Sequence, residues 1–248
     1  MPDPRAFQTW VRLIRAGLHP VSAIRLRRGG HDDIRFRGHV LGAADRGRLA
    51  WMATRIWGGE YDVPGFTPAR GDRVADLGAN VGVFSVLAAA RGAHVTALEP
   101  DPDTYAWLER NASPFGVDCR RAAVVGRRPE SGEVTLVRDP RGDTANHLAG
   151  LRPADGDGRG ERVPAVALTD LLEEGYDIVK LDVEGAEFEL LAGGRPEDLS
   201  GLRRLVAEVR RDVGDAAELG RRLTAAGMRV AFREDADDPA HVLMTARR

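Results

Sequence analysis

The spacing of apolar positions changes character near residue 70. Before it, Phe7, Trp10, Val11, Ile14 and Leu18 recur at intervals of three and four, as do Leu49, Met52, Ala53 and Ile56. A stripe at that period predicts two amphipathic helices, over about 7–18 and 45–57. Residues 33–37 alternate like a short strand. Pro64, Pro68 and Gly71 then interrupt the pattern, so residues 1–65 are expected to form an N-terminal helical cap or extension and 66–248 the main domain.

From Arg73 onward, short apolar runs alternate with helical periodicity. Strands are expected at 73–77, 94–99, 118–125, 133–137, 163–168, 178–182 and 205–209. Helices are expected at 81–91, 102–111, 186–191 and 216–226. Residues 228–233 and 241–245 should close the chain as an antiparallel hairpin. Strand and helix in alternation argue for parallel strands with crossover helices, a doubly wound α/β sheet that is mostly parallel. Between Asp139 and Arg162 lies an inserted loop rich in Gly, Asp and Arg; loops of that length inside a domain usually serve a function or lack order.

Composition narrows the class. Of 248 residues, 43% are hydrophobic and 30% charged, enough to bury a core, and the net charge of −2 offers no basic field to gather nucleic acid. The single cysteine, Cys119, rules out an intramolecular disulfide and a Cys-rich zinc module. No apolar run approaches the roughly 18 to 20 residues of a membrane span. Arg12 and Arg15 within the first apolar stretch are unlike a signal peptide, so the expected location is cytoplasmic. The expected partner is a small molecule, with neither nucleic acid nor membrane; a homo-oligomer stays open.

Two segments carry chemistry. The first, Val74 to Gly82, is a strand that ends in a glycine-bearing turn and opens a helix, where backbone can approach a ligand closely and N–H groups can face an anion. The dinucleotide fingerprint G-x-G-x-x-G is incomplete, because Asn80 holds its second glycine position and no third glycine follows. Glu99, 21 residues after Gly78 at the end of the next strand, can accept both hydroxyls of a ribose, with Pro100 and Asp101 beside it. Together these favour a cofactor with adenosine and no pyrophosphate. The second segment, Ile178 to Glu184, is odd for a central strand, which normally reads as a continuous apolar run. Lys180 and Asp182 share one side of it, with Glu184 just beyond. Thirty-five of the 36 basic residues are arginine, and the one lysine stands here, where a compact ammonium paired with a carboxylate on an adjacent strand, Asp76 or Glu208, suits a buried site.

These residues are recognisable. Asp76-Leu77-Gly78-Ala79-Asn80-Val81-Gly82 with Glu99-Pro100 resembles the S-adenosylmethionine motif of class I methyltransferases. Val179-Lys180-Leu181-Asp182-Val183-Glu184-Gly185-Ala186-Glu187 resembles the signature of the FkbM family, with similarity extending from about Gly59-Glu60-Tyr61 through Gly71-Asp72 to Glu208. The resemblance implies a Rossmann-like sheet and an O-methyltransferase acting on sugar or secondary-metabolite hydroxyls. Gly78, Ala79, Asn80 and Gly82 would shape the cofactor turn, Asp76 would orient it indirectly, Glu99 would hold the ribose, and Pro100 and Asp101 would border the adenine.

Methyl transfer to a hydroxyl needs in-line approach and a destination for the proton. Asp182, Glu184, Glu208 and His147 compete for acceptor and base roles, His147 because its ordinary pKa suits a base. Converging carboxylates could also hold a divalent metal, a reading not favoured; the six histidines show no i, i+4 pair and no metal ligands are assigned. The alternatives are N-methylation of an amine or guanidine, whose cation the carboxylates would orient, and a non-catalytic adenosine-binding domain.

Overall fold

A computed structural model describes residues 34–138, 147–148, 160–234 and 239–248. The expected helix at 7–18 and most of the inserted loop lie outside the described residues.

A hairpin of β1 (Ile34–Phe36) and β2 (His39–Leu41) comes first. Its two-residue turn places Arg37 and Gly38 at φ 46° and 87°, the double positive φ that keeps the twist of paired strands. Sequence patterning shows only the first of these strands, because β2 has three residues and buries Leu41 alone. Helix α1 (Arg46–Trp57) starts where Asp45 accepts from the Arg48 N–H.

The alternating part follows: β3 (Arg73–Leu77), α2 (Val83–Ala90), β4 (His94–Leu98), α3 (Pro102–Ala112), β5 (Asp118–Arg120), β6 (Ala123–Val125), β7 (Glu133–Val137), β8 (His147–Leu148), β9 (Gly160–Ala167), α4 (Leu168–Glu173), β10 (Ile178–Leu181), α5 (Glu187–Ala192), β11 (Arg204–Arg210), α6 (Ala216–Ala225), β12 (Arg229–Glu234) and β13 (His241–Arg247). Seven strands form the main sheet in the order β12, β13, β11, β10, β3, β4, β5. Strands β11, β10, β3, β4 and β5 run parallel, while β13 is antiparallel to β11 and to β12. The expected doubly wound, Rossmann-like sheet with a C-terminal antiparallel hairpin is therefore present.

One expectation changes. Residues 118–125 form two strands rather than one: β5 stays beside β4, and the chain then leaves to pair β6 with β9 in a four-stranded sheet ordered β6, β9, β7, β8. No glycine or proline marks the break. The physical distinction is burial, since Ala123–Val125 is wholly buried and Asp118–Arg120 lies at an edge.

Alternation along the strands sorts two cores onto the two faces of the main sheet. Val74, Ile178 and Val206 meet α2, α3 and the first elements of the chain through Phe84, Leu108, Leu49 and Trp57. Ala75, Val179, Leu205 and Ala207 meet α4, α5 and α6 through Leu171, Leu190 and Leu219. Residues 34–57 thus share a core with the sheet. Two polar ties fix them further: the Trp57 indole donates to Val83 O at 3.0 Å, and Asn111 bonds both Gly42 and Val81 O.

Candidate active site

The turn after β3 is shaped by its own backbone. Gly78 and Ala79 N–H both donate to Leu98 O, Asn80 N–H to Glu99, Val81 N–H to the Asn80 side chain, and Gly82 N–H to Ala79 O. The N–H groups of the turn are accordingly taken up by Leu98 O, by Glu99 and by acceptors of the turn itself. Gly78 has φ 75°, and a Cβ there would lie 1.8 Å from Asp182 O, so the turn abuts the tip of β10. Gly82 has φ 87° and faces Leu108, where a Cβ would approach to 2.8 Å. Its role is close packing of α2 on α3.

Glu99 accepts from Asn80 N–H and Asp101 N–H, each at 3.0 Å. Burial raises its carboxyl to about 7 against the pull of these two donors. Asp101 turns away. Its side chain caps α3 through the N–H groups of Asp103 and Thr104, and pairs with Arg138 at 3.2 Å.

At the tip of β10, register decides the neighbours. Lys180 lies opposite Asp76 on β3, and its Nζ sits 3.1 Å from Asp76 Oδ1, 3.5 Å from Asp182 Oδ2 and 2.8 Å from Gly78 O. The contact with Asp76 is an ion pair, and Asp76 takes its aligned hydrogen bond from Ser85 at 2.6 Å. Burial works against the ammonium, yet Asp76 and Asp182 raise its pKa above the ordinary value. Of the two partners proposed for Lys180, Asp76 is the one in contact. The ammonium also lies 5.9 Å from the Tyr61 ring centroid.

Tyr61, in the segment after α1, joins the two remaining carboxylates. Its hydroxyl is 3.3 Å from Asp182 Oδ2 and 3.2 Å from Glu208 Oε2. Burial, then Asp182 and Glu208, push the phenol above its ordinary pKa. Burial, then Asp182 and Glu60, push Glu208 up to about 9. Glu184, at φ 56°, pairs with Arg210 at 2.8 Å, and Arg55 pairs with Glu60. Non-glycine residues held at such φ are rare and gather at functional sites; Asn80 and Glu184 both line the cavity.

The two constellations enclose one cavity of about 300 Å³. Gly78, Ala79, Asn80, Glu99 and Pro100 line one side, and Lys180, Asp182, Glu184 and Glu208 the other. Asp76, Gly82 and Asp101 stand behind the wall as supports. His147 pairs with Val137 through its backbone, and its side chain lies outside what is described. Glu187 folds back to accept from Val183 and Gly185 N–H, so it braces the loop below Glu184. Patterning did not single out Trp51, Arg55, Arg210 or His241, which also line the cavity. Tyr61 and Glu60 were signalled only by the family resemblance. Among the described residues no group of three or more His, Cys, Asp or Glu side chains is placed to hold a metal ion, and no helix is long and apolar enough to cross a membrane.

Comparison with known proteins agrees with this geometry. A curated 31-O-demethyl-FK506 methyltransferase FkbM of Streptomyces tacrolimicus is 30% identical over 196 residues, covering 66% of this chain and 75% of that protein. The methyltransferase sdnD of Sordaria araneosa is 29% identical, covering 54% and 65%. The hexuronic acid methyltransferase AglP of Haloferax volcanii is 28% identical, covering 49% of each. Residues 76–230 match the family described as Methyltransferase FkbM domain, more than half of the chain, and the protein belongs to that family as an S-adenosylmethionine-dependent methyltransferase.

Proposed function

We propose that the protein methylates a hydroxyl group of a small polar acceptor, with Asp182 taking the hydroxyl proton. The observation that supports this most directly is the pairing of the carboxylates across the cavity from Glu99. Asp182 faces Lys180, Glu184 faces Arg210, Glu60 faces Arg55, and Glu208 meets the Tyr61 hydroxyl. Asp182, Glu184 and Glu60 each already contact a cation of the chain, which weakens their pull on an ammonium or guanidinium acceptor and favours a neutral hydroxyl.

The residues beside the turn fit S-adenosylmethionine. Glu99 offers carboxylate oxygens to ribose hydroxyls, and Ala122, Ala123, Val124 and Leu136 supply an apolar wall for a purine. Bound there, the cofactor supplies a methyl group already activated on sulfonium. Asp182, fixed between Lys180 and Tyr61, accepts the hydroxyl proton as the acceptor oxygen bonds to the methyl carbon. Trp51 and Arg55 of α1 border the same cavity and are placed to position the acceptor. The curated relatives, one named for an FK506 position and one for hexuronic acid, support a sugar or secondary-metabolite hydroxyl.

The test pairs a labelled methyl donor with matched acceptors that differ only in carrying a hydroxyl or an amine. Label on oxygen, abolished in Asp182→Asn, is the expected result. Label on nitrogen, or transfer unchanged in Asp182→Asn, would overturn the reading, and binding of the donor without any product would favour a non-catalytic adenosine-binding domain.

A further inference from the structure

Tyr61 poses a hydrogen-counting problem. One phenolic proton lies between two carboxylate oxygens, Asp182 Oδ2 at 3.3 Å and Glu208 Oε2 at 3.2 Å, and a hydroxyl can donate well to only one of them. Two ionised carboxylates on a buried hydroxyl would leave one oxygen facing a lone pair, which is repulsive. The conflict vanishes if one carboxyl carries its own proton and donates it to the phenol. Lys180 stands 3.5 Å from Asp182, whereas Glu208 pairs with His241 at 4.0 Å.

We propose that Tyr61, Asp182 and Glu208 hold two protons between them, the phenol's own and one carboxyl proton, so that the Glu208 carboxyl donates to the Tyr61 hydroxyl and that hydroxyl donates to the Asp182 carboxylate. This rests on Asp182 as the proton acceptor for methyl transfer and explains how it is kept for that task. Tyr61 and Glu208 are then positioning residues. They orient the carboxylate and keep a second negative charge from settling beside it.

The surroundings of Glu208 agree. Asp182 and Glu60 face it and oppose its ionisation. Arg55 favours ionisation but is engaged with Glu60, and Arg210 of the same strand is engaged with Glu184. Lys180 is committed to Asp76, Asp182 and Gly78 O. Burial and the neighbouring anions place the Glu208 carboxyl at about 9, so the proton is in place throughout the neutral range.

The experiment is a pH titration of the full-length protein carrying ¹³C-carboxyl glutamate, read by NMR without cofactor or acceptor. One glutamate carbon should titrate near 9, and Glu208→Gln should remove that signal. In Asp182→Asn its midpoint should fall by on the order of one pH unit, because a neighbouring negative charge is gone. In Tyr61→Phe it should also fall, because the protonated carboxyl loses its acceptor. A parent Glu208 that titrates in the ordinary carboxylate range overturns the proposal, even if a variant fails to fold. A midpoint that rises in Tyr61→Phe overturns the order of donors, for it means that the phenol donates to the Glu208 anion. Failure here leaves the O-methylation reading standing, and the methyl-transfer assay can fail while this titration succeeds.

Discussion

The two sides of the cavity are built by different means. On the side of Glu99, five successive N–H groups from Gly78 to Gly82 close on local acceptors and a single carboxylate faces inward. On the side of Lys180, charged side chains from α1, the segment after it, β10 and the loop that follows, β11 and β13 meet in ion pairs and hydrogen bonds. The first is a matter of shape, settled by the turn's N–H groups on Leu98 O, Glu99 and the turn's own acceptors. The second is a matter of charge, and its central contacts, Lys180 with Asp76 and Tyr61 with Asp182 and Glu208, join groups more than a hundred residues apart. Shape should fail when an atom is added, and charge balance when an ion is removed.

Lys180→Met attacks the charge side and should have the largest effect. It leaves Asp76, fully buried, without its cation, at a cost of about 3–5 kcal/mol in chemical denaturation. Lys180→Arg should not restore stability, since a planar fork cannot fill the position of a point charge between Asp76, Asp182 and Gly78 O. A methionine variant as stable as the parent would collapse the distinction. Gly78→Ala attacks the shape side. The φ of 75° alone costs about 1–3 kcal/mol, and the encounter with Asp182 O moves backbone, so stability and cofactor affinity should fall together.

Glu99→Ala should spare the fold more than either change and weaken cofactor binding by about 1.5–3 kcal/mol, measured by calorimetry. Its pH dependence sharpens the assignment. The Glu99 carboxyl in the folded protein sits near 7, above its ordinary value. The stability linked to this proton is complete below about 4.5 and is lost as pH rises toward 7. Affinity for the cofactor should change in the opposite direction, rising through pH 7 as the carboxylate becomes a full acceptor for ribose hydroxyls. A flat affinity profile would remove Glu99 from the ribose. Smallest of all, Asp45→Ala should cost about 1 kcal/mol through lost capping of α1 and leave cofactor affinity unchanged.

This contrast also explains what could be read in the sequence. The strand, turn and helix around Gly78 and the acidic residue 21 positions later are contiguous signals, and the structure places Gly78, Asn80 and Glu99 on one wall. Lys180 was legible because a charge in a central strand breaks the apolar run, and register supplied Asp76. Tyr61 was not legible from spacing, since nothing local distinguishes it from a core tyrosine; its meaning comes from Asp182 and Glu208, brought to it by the sheet. Asp101 was misleading for a related reason. Its position beside Pro100 suggested a ligand contact, whereas the N–H groups of the next helix claim the side chain.

The tie from Asn111 to Gly42 and Val81 and the placement of Tyr61, Arg55 and Trp51 on the cavity have a bearing on modular engineering. The match to the family model begins at residue 76, yet Trp51, Arg55, Glu60 and Tyr61 of the cavity wall are encoded upstream of it. A graft cut at that boundary would carry the glycine turn, Glu99 and Lys180 into a new host and leave behind the phenol and the α1 side chains that complete the pocket. Under the proposed function, the unit that carries donor recognition is shorter than the unit that carries acceptor choice, and exchanging acceptor preferences between relatives means moving the segment that contains α1 and Tyr61 as a piece.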